Sequence, residues 1–393
     1  MKKTMHVLVF VAAVAAVLGI SYLWSILSVK GLEFSHRFEK DRVFFGDTVN
    51  YIQEITNAKI LPLPWIRVDT EVPAVVEFLK GNLVPHHRAD KKILSGLYSL
   101  LWYQKIRRKY PVYCKSRGIF TFGPGILSTG DVFGFFEKEK PIDSTAALIV
   151  YPRLVDVIVT EGKPDITLSG VIGRKTLLTD PFCFTDTRDY VPGDLLKDVD
   201  WKSTAKLDRL RVKVYDSSFT KRISILLDVN TFEIAWEGID PELSEFLVIL
   251  AASIAKKALE QGFEVMLASN GRMVSPDKDT DLITLIPYGS GSMHLRNILE
   301  CLARLSNYSI FKIEEILPRT LGMLKRDSKV IYITGIWGKN TEKVVKLLQK
   351  MGMDVVLILA GKKNAKLKGP EGVLTYHALG EEAWREISLI RLV

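Results

Sequence analysis

Between Phe184 and Ala205 the chain carries its densest set of side chains able to do chemistry, in residues 184–194 (FTDTRDYVPGD) and 198–205 (DVDWKSTA). Asp186, Asp189, Asp194 and Asp200 offer carboxylates for acid–base work or metal-assisted hydrolysis. The same charges around Trp201 also suit a surface that grips a partner. A third possibility is architectural, with Arg188 paired to neighbouring aspartates and Trp201 as a packing anchor. A second polar loop, residues 289–292 (GSGS), stands where a helix should start. Its free N–H groups would suit a phosphate, although Ser292 as a plain helix cap is the commoner explanation and the GxxxxGK[ST] pattern is absent. His86 and His87 adjoin Asp90 without a third ligand at metal spacing. Ser292 and His294 form a close serine–histidine pair, and nothing local completes a nucleophilic triad. Lysines 362, 363, 366 and 368 make a basic stretch without interleaved aromatics, so nucleic acid is not expected as a partner.

These residues need elements to hold them. Pro192-Gly193 reads as a turn, Asp200 as the cap of a helix starting at Trp201, and Leu210, Val212 and Val214 alternate as a strand. From Ile223 apolar runs alternate with helical patterns. Ile223–Leu227 ends at Asp228, and Asp240-Pro241 opens a helix with Leu243, Phe246, Leu247, Leu250 and Ile254 on its inner stripe. Strands over 263–268, 282–286, 330–334 and 355–360, with helices from Met293 and over 341–351, predict a doubly wound α/β domain. Its ligands would bind outside the carboxyl ends of the strands, where Asp228, the 289–292 loop and Gly335 are expected. Upstream, residues 31–160 read as β. In Trp65–Val72, Ile66, Val68, Thr70 and Val72 share one face, and Gly-rich turns at 46, 118, 123–125 and 130 space several short strands, as in a β-sandwich. The stretch 83–108 reads only as loop plus strand.

Residues 5–27 contain no Asp, Glu, Lys or Arg. As a helix they rise about 34 Å, enough for a hydrocarbon core of about 30 Å. Lys2 and Lys3 before an apolar run also fit a signal peptide, but the run is long for one and no small-x-small site follows it. An uncleaved single-pass anchor is the expectation. Lys30, Arg37, Lys40 and Arg42 outnumber the basic residues before the span, which places the soluble part on the cytoplasmic face of the cell membrane. The 393 residues are 47% hydrophobic and 25% charged, which excludes disordered, collagenous and polytopic membrane classes. Three scattered cysteines exclude a disulfide scaffold, and a net charge of +9 is mild for this length.

The pattern Arg188-x-Tyr190-x-x-Gly193-Asp194, then Asp200-Trp201 and Ala205, closely resembles the signature of the prokaryotic family catalogued as domain of unknown function 58. The layout is similar too: a membrane segment, a β-rich domain, the signature, and an α/β domain resembling von Willebrand factor type A. Members often have two closely spaced N-terminal spans, whereas this chain has room for one. The resemblance implies a partner role beside a MoxR-type AAA+ ATPase, in assembly or maturation of a client protein. A type A domain would also carry a metal-ion-dependent adhesion site, Asp-x-Ser-x-Ser with a Thr and an Asp from later loops. Here Asp228 is intact, Asn230 offers a carbonyl oxygen, Ser290 or Ser292 a hydroxyl, but Phe232 cannot ligate and Thr334-Gly335 replaces the last Asp. The expectation is a degenerate site, with Asp228, Asn230 and Ser292 as the remaining candidate Mg²⁺ ligands.

The expected organisation is an anchor over residues 1–30, a β-sandwich over 31–160, a signature linker over 161–221 and a von Willebrand factor A-like α/β domain over 222–393. The expected function is non-enzymatic protein binding at a membrane, without a required cofactor. Arg188, Tyr190, Gly193, Asp194, Asp200, Trp201 and Ala205 are its candidate contact residues. The alternatives are a metal-assisted hydrolase using the carboxylates of 186–200 and an extracytoplasmic adhesion-type protein.

Overall fold

The computed structural model describes residues 2–159, 184–192, 194–215, 222–233, 238–273, 284–307, 309, 311–325, 328–365 and 367–393. Its fold is mixed α and β, and the chain divides into two compact units, one mainly Met1–Arg153 and the other mainly from Leu154 onward. The sequence reading put that boundary at residue 160. The difference is strand β13 (Asp156–Val159), which pairs in parallel with β22 (Leu389–Leu392) and so belongs to the second unit.

The first unit opens with α1 (Lys2–Ser28), one helix long and apolar enough to cross a membrane. Its intrahelical hydrogen bonds satisfy the backbone without water, as a spanning segment requires. Twelve strands follow: β1 (Leu32–Phe38), β2 (Arg42–Phe44), β3 (Thr48–Asn57), β4 (Leu63–Pro73), β5 (Glu77–Phe78), β6 (Asn82–Pro85), β7 (Lys91–Leu100), β8 (Lys105–Tyr113), β9 (Gly118–Phe122), β10 (Gly125–Gly130), β11 (Glu137–Ile142) and β12 (Ala146–Tyr151). They form three sheets, ordered β1-β3-β8-β5, β11-β10-β4-β7-β6 and β2-β12-β9. The result is sandwich-like. In β4, Ile66, Val68, Thr70 and Val72 are buried as the period of two requires. The ambiguous stretch 83–108 holds β6, β7 and the start of β8. Tyr98 there is buried, its hydroxyl hydrogen-bonded at 2.6 Å to that of the half-buried Tyr110 just beyond the stretch, and a polar tip on a buried ring blurs the alternation.

The second unit is built on an eight-stranded sheet ordered β13-β22-β21-β20-β19-β16-β17-β18. Its remaining strands are β16 (Arg222–Leu227), β17 (Glu264–Ser269), β18 (Thr284–Gly289), β19 (Ser328–Thr334), β20 (Asp354–Ala360) and β21 (Leu374–Leu379). Strands β16, β17, β19, β20 and β21 run parallel; β18 and β22 are antiparallel to their neighbours β17 and β21. A separate hairpin pairs β14 (Phe184–Asp189) with β15 (Arg211–Tyr215), and α2 (Trp201–Leu207) lies between its strands in sequence.

Helices α3 (Pro241–Glu260), α4 (Gly291–Arg304), α5 (Ile313–Leu321) and α6 (Lys339–Lys350) complete the unit. Helix α3 starts as its cap predicts, with Asp240 accepting from the N–H groups of Glu242 and Leu243 at 3.1 Å. Its burial exceeds the stripe read from the sequence: Val248, Ile249, Ala251 and Ala252 are buried too, so solvent reaches little of the helix. On one face of the sheet, Leu226, Met266, Tyr332 and Leu357 pack with Ile313, Ile316 and Leu317 of α5 and Val344, Val345 and Leu348 of α6.

Candidate functional site

The chain leaves β16, crosses through α3 to β17 on one side, and later returns to β19 on the other side of β16. The crevice between the carboxyl ends of β16 and β19 is therefore a topological switch point, the place where an open α/β sheet binds ligands. Asp228 follows β16 there and Thr334 ends β19. The Asp228 N–H donates to the carbonyl of Ile333 at 2.9 Å, locking the two strand ends together.

Asp228 is buried. Its Oδ1 accepts from the Asn270 side-chain amide at 2.7 Å and from the Asn230 N–H at 3.2 Å, and its Oδ2 faces the Thr334 hydroxyl at 3.4 Å. Asn270, one residue beyond β17, also accepts from the Val229 N–H at 3.0 Å and donates to the Phe311 carbonyl at 3.1 Å. Asn230 accepts from the Ser309 N–H at 3.1 Å. Burial raises the Asp228 carboxyl to about 6, against the opposing effect of these hydrogen bonds. The adjoining cleft has a volume of about 30 Å³ and is lined by Asp228, Asn230, Phe232, Lys312, Glu314 and Tyr332, among others. A space of this size suits one water or ion. Among the described residues, the buried Tyr332 hydroxyl makes no hydrogen bond.

The structure brings Asp228 and Asn230 together but not Ser292. Because β18 runs antiparallel to β17, with Gly289 opposite Val265, the 289–292 loop lies at the amino ends of the parallel strands. Asp228 lies at their carboxyl ends. Two other expected ligands are also missing for physical reasons. Phe232 lines the cleft with its ring, over which Lys363 Nζ sits at 5.0 Å. At Gly335 a Cβ would lie 2.9 Å from Leu243 Cδ2, so an aspartate there would have to displace the Leu243 side chain. No three His, Cys, Asp or Glu side chains converge to hold a metal ion among the described residues. Asp228, whose carboxyl burial raises and whose oxygens are already engaged by Asn270, Asn230 and Thr334, does not fit Mg²⁺, which needs several free oxygen ligands.

The second set of expected residues lies in the β14–β15 hairpin and its insertion. Arg188 holds Asp194 with both guanidinium nitrogens, at 2.5 and 2.6 Å, and Asp194 also accepts from the Val191 N–H at 2.9 Å. Arg188 keeps the Asp194 carboxyl down at about 2. Asp200 caps α2 as predicted, accepting from the Lys202 N–H at 3.2 Å and the Ser203 hydroxyl at 2.5 Å. Arg211 reaches Asp189 at 2.8 Å. The Asp186 carboxylate accepts from the Thr187 N–H at 2.7 Å. Tyr190 is half-buried and its N–H donates to the Leu210 carbonyl at 2.9 Å; Gly193 lies outside the described residues.

Trp201 is not the packing anchor of the architectural reading. It is 65% exposed, and no residue of α2, Ala205 included, is buried. Val191, Leu195, Leu196, Leu207 and Leu210 of the same segment are exposed, while Val199 and Val212 are buried and bridge to each other. The ion pairs thus fix the shape of a segment whose apolar side chains face outward.

Residues 186–380 match the family model described as "Protein of unknown function DUF58". The match covers both the signature segment and the Asp228 crevice, in support of the resemblance carried by Arg188 to Ala205. An uncharacterized protein of Bacillus subtilis (strain 168), YeaD, is 24% identical over 357 residues, covering 90% of this chain and 81% of that protein. Among solved structures, the CARDB domain of a Pyrococcus furiosus protein is 10% identical at a TM-score of 0.21, covering 31% of this chain and 94% of that one. The cohesin module of a Clostridium perfringens family 33 glycoside hydrolase is 12% identical at 0.22, covering 30% and 96%. Similarities at these scores carry no argument about function.

Asn270 is the site residue that sequence reasoning missed. Its only local signal is its place just past the strand 263–268, where a carboxyl end had already been predicted.

Proposed function

We propose that this chain is a membrane-anchored, non-enzymatic binding protein, with α1 as a single-pass anchor and its soluble units on the cytoplasmic face. The observation that carries the reading is the outward-facing apolar group on the signature segment: Trp201 and Leu207 on a helix with no buried face, beside Val191, Leu195, Leu196 and Leu210. Contiguous exposed apolar side chains rimmed by polar ones mark interaction sites, and tryptophan is among the residues most often dominant in binding energy.

The carboxylates offered by the hydrolase alternative each have a partner. Asp194 is held by Arg188, Asp189 by Arg211, Asp200 by its own helix, and Asp186 by the adjacent N–H. Groups so engaged favour a binding surface over acid–base work. The α/β unit serves, on this reading, as a von Willebrand factor A-like scaffold that works without a bound metal. The partner is a MoxR-type AAA+ ATPase together with a client protein, as the signature resemblance implies.

The test is capture from solubilised membranes on the full chain, compared with Leu196→Ser/Trp201→Ser. An AAA+ ATPase retained by the native chain and lost from the double variant supports the reading. Equal capture by both, or no ATPase and no consistent client, overturns it. Protease protection of the soluble units in intact cells, with cleavage after the membrane is opened, supports the cytoplasmic orientation; cleavage from outside intact cells refutes it.

A further inference from the structure

In the first unit, three loops meet at the end of the sandwich where α1 docks. The β3–β4 loop (residues 58–62) and the β7–β8 loop (101–104) are tied to each other, and the β3–β4 and β10–β11 (131–136) loops are tied to the helix. Asn57 donates through one side-chain amide to the carbonyls of Leu61 and Leu101, at 2.9 and 2.8 Å, and the Tyr103 N–H donates to the Lys59 carbonyl at 3.1 Å. Lys59 Nζ caps the C-terminus of α1 by donating to the carbonyls of Ser28 and, at 2.6 Å, Lys30. The Trp65 indole donates to the Asp131 carbonyl at 3.1 Å, and the rings of Tyr22 and Phe136 meet edge-on at 5.5 Å.

The loops contain two charged residues, and neither is free. Lys59 is spent on the helix end. Asp131 is fully buried: burial pushes its carboxyl up, but the N–H groups of Phe136 and Phe133, at 2.7 and 2.9 Å, and the Ser21 hydroxyl bring it below its usual value. Gathering those N–H groups inward turns the rest of the loop outward. The exposed side chains are Ile60, Leu101, Trp102, Tyr103, Phe133 and Phe135, from 54% to 75% exposed. Phe133 and Phe135 stack on each other at 5.7 Å. Tyr103 takes a left-handed backbone (φ 52°), strained for a bulky residue, while its ring stays in the open.

The helix itself says what should cover this collar. Ser21, Ser25 and Ser28 are buried against the sandwich, so one face of the last two turns of α1 is occupied by protein while Tyr22, Leu23, Ile26 and Leu27 stay exposed on the other. The part exposed all round, Met5–Ile20, rises about 24 Å, short of a hydrocarbon core of about 30 Å. A bilayer crossed by this helix must reach down to the level of the loops. Apolar and aromatic side chains without free charge are what the interface accepts. The buried Trp24 indole N–H, which has no hydrogen-bond partner among the described residues, sits in a groove with Ala16, Gly19 and Leu61.

We infer that the three loops form a lipid-contacting collar which inserts into the membrane interface around α1 and seats the sandwich directly on the bilayer. The inference rests on α1 crossing a membrane. The test reconstitutes the full chain into phosphatidylcholine vesicles brominated near the headgroup end of an acyl chain, and reads quenching of tryptophan fluorescence. Among the first unit's tryptophans, Trp102 is exposed on the collar and Trp24 lines the groove on α1, so Trp102→Phe should lower the quenched intensity. Adding Phe133→Trp to that variant should restore it. Vesicle-bound protein whose quenched intensity ignores both changes would overturn the collar while leaving the anchor intact. Failure of the protein to float with the vesicles would overturn the anchor itself, and the collar with it.

Discussion

Replacing Asp228 with Asn should stabilise the protein at neutral pH. The folded chain raises this carboxyl from an ordinary 3.8 to about 6 because it is buried between β16 and β19. Below pH 3.8 the group is protonated in both folded and unfolded chains. Between pH 3.8 and 6 the unfolded chain has lost the proton that the folded chain retains, so stability falls as pH rises. Above 6 the full penalty remains, and 2.2 pH units correspond to roughly 3 kcal/mol. Asparagine is neutral throughout and fits the same contacts. Its oxygen accepts from Asn270 and Asn230 as Oδ1 does now, and its amide donates to Thr334 Oγ1, which already accepts from the Ile336 N–H at 3.1 Å and donates to the Ile336 carbonyl at 3.2 Å. For a unit of this size, 3 kcal/mol corresponds to a Tm gain of roughly 6 to 12 °C at pH 8, shrinking towards zero at pH 4. Thermal unfolding of the detergent-solubilised full chain, followed by tryptophan fluorescence across that pH range, measures it. A gain independent of pH, or a loss at pH 8, would refute the argument that the carboxylate is buried at a cost.

The remaining expectations are smaller in scope. Leu196→Ser/Trp201→Ser removes exposed side chains, so Tm should stay within about 1 °C while partner capture falls about tenfold or more; a large Tm loss would mean the residues are packed after all. Arg188→Lys keeps the charge but loses the two-nitrogen grip on Asp194, so limited proteolysis should cut residues 188–201 faster than in the native chain. Unchanged cleavage would show that the pair does not hold the segment's shape. Calorimetric titration with Mg²⁺ should give no saturable heat, and a saturable isotherm lost in Asp228→Ala would restore a metal site.

The elements that sequence reading recovered are those whose local chemistry decides their form. Asp240-Pro241 and Asp200 start helices because a side-chain oxygen satisfies N–H groups a few residues away. Ile223–Leu227 is a strand because only a sheet covered on both faces hides five successive residues, four of them apolar and Ser224 buried with them. What was lost depends on the partner rather than on the segment. Helix α5 carries Pro318 inside it, a local breaker overruled by Ile313, Ile316 and Leu317 packing on the sheet. Strands β13 and β22 are four residues each and exist because they pair with each other. The candidate site divides the same way. Asp228 was legible from its place after a strand, but Ser292 was assigned to the same end by assuming that β18 ran parallel. Strand direction is set by how β18 pairs along β17, and a hydroxyl moves to the far end of the sheet when that pairing is antiparallel.

The pH response and the metal response of Asp228 are not independent, and together they decide what the crevice is for. A divalent cation binds the ionised carboxylate, so binding would have to overcome the same burial that lifts the group to about 6. A chain that bound Mg²⁺ there would lose its pH-dependent instability when the ion was added, because the ion would hold the proton off across the whole range. The Tm difference between native chain and Asp228→Asn would then close as Mg²⁺ rose. A metal-free scaffold keeps that difference constant in Mg²⁺ and variable in pH. Measuring the gap at pH 5 and pH 8, with and without the ion, therefore separates a carboxylate that waits for a cation from one that ties β16 to Asn270 and Thr334.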